Sequence, residues 1–403
     1  MKVDVPGDVQ GALERLRSRG YAANPVGGCV RDSLLGLHPE DWDLCTSARP
    51  EETAACFPDC RVLPTGMRHG TVTVLWGKRS LEITTYRRDG AYSDHRRPDA
   101  VAFVSDLRED LARRDFTVNA MALSPEGEVL DPFGGQEDLK KGLLRCVGEP
   151  EARFREDALR ILRLLRFAAR LGFRPEERTY GAALTCRDLL PALAGERVLR
   201  EICLYLEGRK AGDCFPWAKP ILLPVLPELQ DRDGGEEASH LRRLSPSAVL
   251  RLALLLRSPA GERTDALLRL KSPRVLERRV RILAAGAWDP LPRDRAELGL
   301  ALGRVGEAAF RDLLQLWRAL EAAPEEQLAG MEQELELLLR AGFCFSPAEL
   351  AVRSADLKGL GFSGAELGSV IRSLLEEVQS GRLPNEQAAL LSAAEKRKKA
   401  AGS

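Results

Sequence analysis

Residues 26–43 of this 403-residue chain are Val-Gly-Gly-Cys-Val-Arg-Asp-Ser-Leu-Leu-Gly-Leu-His-Pro-Glu-Asp-Trp-Asp. The stretch opens with Gly27 and Gly28, continues as a predicted amphipathic helix over residues 30–35, and ends after a Gly/Pro-bearing turn. Because glycines lack a Cβ atom, the backbone N–H groups of a helix that starts after them can approach an anion such as a triphosphate. Arg31 adds a charged donor beside them. The pattern therefore predicts a phosphate-binding turn.

Two carboxylates, Asp41 and Asp43, close the stretch. In a strand, side chains two residues apart lie on the same face about 6–7 Å from each other. Carboxylates held in this way repel each other unless a cation lies between them, and Mg²⁺ is a hard cation that prefers oxygen ligands. A lone glycine pair is usually a turn, and a lone Asp-x-Asp is usually a solvated loop. Their order and close spacing favour nucleotide chemistry over both.

The stretch resembles the motif of the class II tRNA nucleotidyltransferases, the CCA-adding enzymes and bacterial poly(A) polymerases of the polymerase-β-like superfamily. Residues 27–32 match the Gly-Gly-x-Val-Arg-Asp segment of that family, and residues 41–48 match its Asp-x-Asp segment. Cys29 stands where the family usually has alanine, and Trp42 is bulky, but neither removes a chemical group. The resemblance implies an α/β head with a mixed sheet, of the polymerase-β-like nucleotidyltransferase type, followed by an all-α neck, body and tail. The expected bounds are 1–140 for the catalytic head, 141–215 for the neck, 216–330 for the body and 331–403 for the tail.

Composition sets limits on this interpretation. The chain is 44% hydrophobic and 30% charged, which is typical of a globular protein of two to four domains. No apolar run reaches the length that spans a bilayer, so we expect a cytoplasmic protein without a membrane partner. Nine scattered cysteines without a Cys-x-x-Cys pair predict reduced thiols. Sixty basic and sixty acidic residues balance, so nucleic-acid binding requires local basic surfaces.

The head shows a regular pattern of elements. A helix is predicted within residues 4–20, a strand over 21–26 and a helix over 47–57. Alternating β-branched residues over 66–75 and 81–87 predict a hairpin. In the resembling family a carboxylate on the returning strand neighbours the Asp-x-Asp pair, which implies that Glu82 is a third catalytic acid. A solvated strand glutamate is an equally good interpretation.

Three segments follow the hairpin. Residues 88–100 are polar and predict a flexible loop. In the family such a loop helps to switch from C to A addition and is shortened in enzymes that add only CC, so its presence argues against a CC-only enzyme. Residues 110–122 are predicted to be a helix, in which Arg114 matches a nucleotide-contacting arginine of the family. Residues 131–135 predict a sharp turn that matches the family's Asp-Pro-Phe-Gly-Gly.

Residues 151–170 predict an arginine-rich helix. Apolar residues fall on one side of it, and the opposite side carries Asp157, Arg160, Arg163, Arg166 and Arg170. A solvated charged face is the ordinary explanation. However, the arginines occur without a single lysine, and the planar guanidinium suits phosphates and base edges. The stretch also matches the family's Glu-Asp-x-x-Arg helix, which implies that Arg163 and Arg166, with Gly28, Arg31 and Arg114, bind the triphosphate and sugar.

Asp157 and Arg160 suggest how nucleotides are selected without a template. Asp157 can accept a hydrogen bond from the exocyclic amine of cytosine or adenine, and Arg160 can donate to the adjacent ring nitrogen. Guanine and uracil reverse both groups. Because mismatched buried polar groups are costly, the discrimination can be large.

The rest of the chain is predicted to be helical. Pro216, Pro220, Pro224 and Pro227 predict a connection, and residues 395–403 predict a frayed basic end. The predicted helices of the later part are 246–257, 263–270, 274–286, 295–304, 306–322 and 325–341. Glycines ahead of a helix in residues 351–390 suit a contact with phosphates of the tRNA elbow, although glycine turns are nearly as good an explanation.

The expected function is the addition and repair of the 3′-terminal CCA of tRNA from CTP and ATP, with Asp41 and Asp43 holding two Mg²⁺ ions. The expected partners are the acceptor 3′ end and elbow of tRNA, and a homodimer is compatible with the chain. The alternatives are an A-only adding enzyme, a poly(A) polymerase and a non-catalytic tRNA-binding protein. None of the four histidines forms a His-Asp pair, so no phosphohydrolase domain is expected.

Overall fold

The computed structural model describes residues 3–64, 66–90 and 101–401. Contacts divide the chain into two compact units, Met1–Ala238 and Ser239–Ser403. All strands of the described residues lie in the first unit. They are β1 (Ala23–Pro25), β2 (Leu44–Thr46), β3 (Arg61–Leu63), β4 (Thr71–Trp76), β5 (Arg79–Thr85), β6 (Arg87–Asp89), β7 (Val101–Phe103), β8 (Ala122–Leu123), β9 (Val129–Leu130), β10 (Leu143–Leu144) and β11 (Arg174–Pro175).

A five-stranded sheet with the order β1-β2-β5-β4-β3 forms the centre of the first unit. Strands β2 and β5 are parallel and the other neighbours are antiparallel, which confirms the predicted mixed sheet. The parallel register pairs Leu44 with Ile83. Both faces of these strands are covered, since Leu44, Cys45 and Ile83 are all buried.

Helices surround this sheet and continue beyond it. The first unit contains α1 (Gly7–Arg17), α2 (Gly28–Leu34), α3 (Pro50–Cys56), α4 (Leu107–Ala112), α5 (Gly135–Lys141), α6 (Pro150–Glu156), α7 (Leu159–Leu171), α8 (Glu177–Cys186), α9 (Gly195–Leu206) and α10 (Ala211–Leu222). The helix α11 (Gly234–Arg243) includes the boundary between the units. The predicted helices near residues 4–20 and 47–57 are present as α1 and α3, and Pro50 occupies the first turn of α3.

The prediction of one helix over residues 110–122 is wrong. Helix α4 begins after Asp106, whose side chain accepts the Arg108 N–H, and it ends at Ala112. The Asp115 carboxylate then accepts the backbone N–H of Phe116 at 2.8 Å, and Phe116 is extended. This local bond competes with the helical pattern, so the chain forms only a 3₁₀ turn over Thr117–Asn119.

The arginine-rich stretch is also not one continuous helix. It is broken between α6 and α7 at Asp157, whose backbone is extended at φ −137° and ψ 99°. Its Oδ1 accepts the Leu159 N–H at 3.1 Å, so Asp157 caps the start of α7. The predicted apolar side is confirmed, because Ala158, Leu162 and Leu165 are buried.

Pro216 and Pro220 do not lie in a connection, as the sequence suggested, but inside α10. Each proline removes one backbone donor and disfavours a helix interior. The helix nevertheless forms because Phe215, Ala218 and Ile221 are completely buried in the first unit. Packing therefore overrides local propensity here.

The second unit is helical, as predicted. Its helices are α12 (Ala248–Leu255), α13 (Asp265–Arg269), α14 (Arg274–Gly286), α15 (Arg295–Val305), α16 (Glu307–Ala319), α17 (Glu325–Arg340), α18 (Ser354–Gly359), α19 (Gly364–Gln379) and α20 (Gln387–Ala401). The predicted frayed end is wrong as far as residue 401, since α20 is held by ion pairs from Arg397 to Glu377 at 2.6 Å and from Lys398 to Glu366 at 2.9 Å.

Three further expectations concern the loop at 88–100, membrane-spanning helices and the domain bounds. Of the predicted loop at 88–100, residues 91–100 lie outside the described residues, and β6 and β7 flank them as an antiparallel pair. Within the described ranges, no helix is both long and apolar enough to cross a bilayer. The four domain bounds stay predictions.

Candidate active site

A cleft of about 820 Å³ opens in the first unit. Ten of the eleven predicted site residues line it, although they come from distant parts of the chain: Gly27, Gly28, Arg31, Asp41, Asp43, Arg114, Asp157, Arg160, Arg163 and Arg166. The eleventh, Glu82, is exposed on β5 and is not among the lining residues. The fold thus brings the glycine turn, the carboxylate pair and the arginine-rich helix α7 to one place.

The glycine turn is held by backbone hydrogen bonds. Gly27 N–H donates to the Met121 carbonyl and Val26 N–H donates to the Asp43 carbonyl, each at 3.0 Å. Gly27 has φ 81° and ψ −125°, a conformation that side chains rarely adopt. A methyl group on Gly27 would lie 2.7 Å from Nη1 of Arg114. The glycine is therefore required both for the turn and for the close approach of this guanidinium.

Asp41 and Asp43 lie immediately before β2, on either side of the buried Trp42. Both carboxylates are exposed to the cleft, while the indole anchors the segment between them. This alternation follows the i, i+2 spacing predicted from the sequence. Two acceptor-only groups thus face the same space.

The pKa of the Asp43 carboxyl is raised above its usual value. Surrounding protein atoms that displace water are the main cause, and the charges of Glu82 and Asp41 add to it, whereas Arg114 lowers the pKa. The strand register explains the influence of Glu82, because Asp43 precedes Leu44 as Glu82 precedes Ile83 in the neighbouring parallel strand. A cation between the carboxylates would relieve this repulsion.

The donor chemistry of the pair fits a hard divalent cation. Asp41 and Asp43 offer carboxylate oxygens to the cleft, and oxygen ligands are what such ions prefer. Among the described residues, no three His, Cys, Asp or Glu side chains form a metal-binding group. The described residues therefore place no third His, Cys, Asp or Glu side chain in a metal-binding group with the pair, and a third acidic role for Glu82 stays a prediction.

Arg31 is more enclosed than the sequence suggested. Its side chain is 3% exposed, and Nε and Nη2 lie 2.8 and 2.7 Å from Oδ1 of Asp32. Nη1 donates to the Asn119 side chain. Most of its donors therefore stabilise α2 against the Thr117–Asn119 turn, with only a small part of the guanidinium reaching the cleft.

Arg114 lies close to the predicted phosphate-binding turn and acts on the predicted metal-binding carboxylates. It lies against the glycine turn, and its charge lowers the pKa of Asp43. Its Nη2 is 3.5 Å from Oδ2 of the fully buried Asp110. This ion pair keeps the guanidinium between the turn and the carboxylate pair, where phosphate oxygens and a cation would meet.

Asp157 lines the cleft and faces Arg197, whose Nη2 is 3.7 Å from its Oδ2. Desolvation raises the pKa of Asp157, although Arg197, Arg160 and Arg163 act in the opposite direction. Asp157 is thus a partly desolvated acceptor in the cleft lining, and its base-reading role stays a prediction.

Arg160 is buried and its donors already have protein acceptors. Nη1 donates to the Arg153 carbonyl at 3.1 Å and to Oε2 of Glu156 at 2.8 Å, and Nη2 donates to the Arg113 carbonyl at 2.9 Å. Arg160 therefore joins α6 to the end of α4 in this arrangement. Its predicted contact with a base would have to use another donor or exchange one of these bonds.

The remaining arginines of α7 each face a carboxylate. Arg163 binds Asp115 at 2.6 Å, and Arg170 binds Asp32 at 3.0 Å. Burial alone would raise the pKa of Asp115, but the charge and hydrogen bond of Arg163 and the bond from Asn119 outweigh it and bring the pKa to about 2. Asp115 is thus a firmly ionised anchor for Arg163.

Sequence reasoning missed several residues of the cleft wall. They are His38, Arg113, Asp115, Asn119, Phe167 and Arg197. Arg113, Asp115 and Asn119 belong to the segment that was matched for Arg114, and Arg197 lies in the first turn of α9. Proximity to a recognised motif was thus a signal, but only the fold shows which of these side chains face the cleft.

Comparison with known proteins agrees with the fold. The family model of the poly A polymerase head domain matches residues 24–145. The CCA-adding enzyme of Lactobacillus delbrueckii subsp. bulgaricus is 37% identical over 387 residues, which cover 94% of each chain. That of Enterococcus faecalis is 35% identical and covers 96% of this chain and 95% of its own. The crystal structure of the Bacillus stearothermophilus CCA-adding enzyme in complex with CTP superposes with a TM-score of 0.84 at 29% identity over 98% of both chains.

Proposed function

The chain belongs to the family of the CCA-adding enzymes, which are tRNA nucleotidyltransferases, and we propose on this premise that it adds and repairs the 3′-terminal CCA of tRNA from CTP and ATP, releasing pyrophosphate. The observation that carries the proposal is the cleft itself. One space holds the carboxylate pair Asp41 and Asp43, the Gly27 turn, and the arginines of α7. These groups complement a metal-bound nucleoside triphosphate.

Enzymes of this family generally use a divalent metal ion. We assign Mg²⁺ ions to Asp41 and Asp43, whose exposed oxygens and mutual repulsion suit a hard cation. Asp41 and Asp43 would hold the metal, which would supply a lowered pKa at the tRNA 3′-hydroxyl and charge stabilisation for the departing pyrophosphate. Glu82 would act through the charge it places beside Asp43.

The triphosphate and sugar would be bound by the glycine turn and by arginines. Gly27 and Gly28 open the backbone at the start of α2, where Arg114 lies directly against Gly27 and Arg31 lies near Gly28. On α7, Arg163 is one-third exposed and Arg166 one-quarter exposed, so both keep donors toward the cleft. Arginine suits this role because its fork of donors can bind two phosphate oxygens at once.

Asp157 and Arg160 are proposed to read the base. Replacing both by alanine should erase the preference for CTP and ATP over UTP and GTP, since neither the amine acceptor nor the ring-nitrogen donor remains. The measurement is single-nucleotide incorporation with each of the four triphosphates. Unchanged selectivity in a folded double variant would refute this role, and Asp188→Ala, at an exposed site outside the cleft, is the control.

Three tRNA substrates test the function as a whole. They end at the discriminator base, at C and at CC, and each is incubated with Mg²⁺ and single labelled nucleotides before sizing to one nucleotide. Addition of C, C and A followed by a stop supports the proposal. Addition of A only to the CC-ended substrate indicates an A-adding enzyme, and long A tracts indicate a poly(A) polymerase. No incorporation indicates a non-catalytic tRNA-binding protein.

The metal role has its own variant. Asp41→Ala should abolish incorporation while leaving the fold intact, because the side chain is exposed and its loss creates no cavity. A fully active variant would contradict the assignment.

Residues 331–403 are proposed to contact the tRNA elbow, and a cytoplasmic location follows from the substrate. A homodimer stays a prediction that sedimentation equilibrium tests.

A further inference from the structure

One aromatic ring of the cleft is surrounded by three arginines. The guanidinium carbons of Arg31, Arg163 and Arg166 each lie 5.3 Å from the centroid of the Phe167 ring. Phe167 is 5% exposed, and it lines the cleft together with all three arginines. Each of the other rings with a cation contact in the described part of the chain has only one such partner.

The three arginines cannot be held by their ion pairs alone without a cost to substrate binding. Each has its own carboxylate, and the pairs are Arg31–Asp32, Arg163–Asp115 and Arg166–Glu201. A carboxylate that compensates an arginine also repels an incoming triphosphate. An aromatic ring attracts guanidinium groups through its quadrupole and carries no net charge. Phe167 can therefore hold cations together without repelling the anion.

The crowding of these cations is visible in Arg166. Desolvation lowers its pKa, and the charges of Arg163 and Arg170 lower it further, while Glu201 acts in the opposite direction. A neutral attractive group in their midst reduces the tendency of the guanidinium groups to separate. This is the place that the Phe167 ring occupies.

The ring is itself fixed. Phe116 packs against it edge to face, with the centroids 5.9 Å apart and the planes at 84°. Phe116 is completely buried and directly follows Asp115, the partner of Arg163. The ring, the carboxylate and the guanidinium thus belong to one connected arrangement, so the ring orientation and the arginine positions depend on each other.

We infer that Phe167 is a positioning residue that organises Arg31, Arg163 and Arg166 for a nucleoside triphosphate before it binds. The inference rests on the proposed function for the identity of that ligand. Phe167 does not itself touch the reacting atoms. Its contribution is to the affinity for the polyphosphate chain, because preorganised donors lose less freedom on binding.

Two kinds of variant test the role. Phe167→Leu keeps an apolar side chain but removes the quadrupole, and it should raise the dissociation constant for CTP by about fivefold to thirtyfold. Stepwise fluorination of Phe167 by unnatural amino acid incorporation weakens the quadrupole with little change of shape. The logarithm of the dissociation constant should then rise steadily with the number of fluorine atoms. Inhibition by inorganic tripolyphosphate should weaken in parallel, and KM should rise more than kcat falls.

Phe154 provides the matched control. It is a fully buried phenylalanine of the same unit, it lies outside the cleft lining, and no cation contact to its ring occurs among the described residues. Phe154→Leu should lower the melting temperature, as a core truncation does, but leave the affinity for CTP and tripolyphosphate unchanged.

The outcomes separate this inference from the proposed function. Equal CTP and tripolyphosphate affinities of the wild type and the fluorinated series would overturn the positioning role, whatever the wild type adds to tRNA. A wild type that binds CTP but adds neither C nor A would overturn the proposed function, and the fluorination series would still decide the role of Phe167. If Phe167→Leu does not fold, the fluorinated chains carry the test alone.

Discussion

At the scale of single residues, the cleft depends on positions where only one side chain fits. Gly27 is the clearest case, because its backbone has a positive φ and the Arg114 guanidinium lies where a side chain would be. Arg114 in turn lies next to Asp43 and lowers its pKa. A change at the glycine is therefore transmitted to the carboxylate pair through one arginine.

Gly27→Ala should reduce kcat/KM for CTP by about 100-fold, since displacing a substrate-binding group by about 1 Å has an effect of this size. The flexible end of Arg114 can move away, so the loss of folding stability should be only about 1–3 kcal/mol from the strained backbone. Steady-state kinetics and thermal unfolding measure the two effects. Gly181→Ala is the control, because this helical glycine has no heavy atom within 4 Å of the added methyl. A Gly27→Ala enzyme with normal kinetics would contradict the proposed position of Arg114.

Asp115 gives a pH-dependent prediction. Its pKa is about 2 in the folded chain against an ordinary value of 3.8, so ionised Asp115 stabilises the folded state. The stabilisation is present in full above about pH 4 and is lost as the pH falls toward about 2. Asp115→Asn should therefore lower the free energy of unfolding by about 2 kcal/mol at pH 7, and the difference from the wild type should shrink below pH 4.

Urea titrations between pH 3 and pH 7 would measure this difference. Asp188→Asn is the matched control, because Asp188 is 85% exposed and its ion pair with Arg187 is long at 3.9 Å. That variant should differ little from the wild type at any pH. A constant difference between wild type and Asp115→Asn across the range would contradict the low pKa.

At the scale of elements, one local exception to helical geometry shapes the site. Asp157 breaks the arginine-rich stretch into α6 and α7 and becomes the cap of α7. Because the backbone of Asp157 is extended and not helical, its carboxylate lies in the cleft lining beside Arg197. A capping residue thus doubles as a candidate base-reading group.

In the second unit, α15 packs closely against the end of α19. Gly299 and Gly303 are one helical turn apart, and a methyl on Gly299 would lie 1.9 Å from the Gln379 carbonyl oxygen. The Gln379 side chain is buried and donates to the Cys344 carbonyl at 3.0 Å. The backbone and side chain of Gln379 are therefore both held in place.

Gly299→Ala should destabilise the second unit by about 1–3 kcal/mol or more, because neither the backbone oxygen nor the helix can move freely. Gly330→Ala on α17 makes the same chemical change at a position where no heavy atom lies within 4 Å of the added methyl. It should leave stability unchanged or raise it slightly. Differential scanning calorimetry compares the two. Equal melting temperatures would show that α15 and α19 can separate at little cost.

At the scale of the whole molecule, the residues of the cleft all lie in the first unit, between Gly27 and Arg197. The second unit contains no strand among its described residues and contributes no residue to the cleft lining. The chain has no net charge, so its affinity for tRNA must come from the local arrangement of arginines and lysines. Binding of tRNA by the second unit stays a prediction.

A chain shortened to residues 1–245, which retains α11, should bind CTP as the full chain does because the cleft is complete. It should lose most of its affinity for tRNA, since the proposed elbow-binding residues 331–403 are removed. Isothermal titration with CTP and gel-shift assays with tRNA measure the two affinities, and circular dichroism verifies the fold of the shortened chain. Undiminished tRNA binding would refute the proposed role of the tail.

The sequence by itself determined the fold class, most helices of the second unit and ten of the residues that line the cleft. The helices follow from apolar residues at helical spacing, and the glycine pair and the two acids stand out by their own spacing. The fold class and the roles of Arg114, Arg163 and Arg166 came from the resemblance of short motifs to those of the nucleotidyltransferase family. Such patterns act over a few residues, so they can be read without knowing the remainder of the chain.

Only the tertiary structure decided which groups meet. Arg31 bonds to Asn119 across 88 positions, Arg163 to Asp115 across 48, and Arg170 to Asp32 across 138. Packing also kept α10 helical through two prolines and enclosed Arg31 and Arg160, which the sequence had presented as open donors. Local periodicity contains no information on such distant contacts. They arise when burial of the core brings α2, the Thr117–Asn119 turn and α7 together around the Phe167 ring.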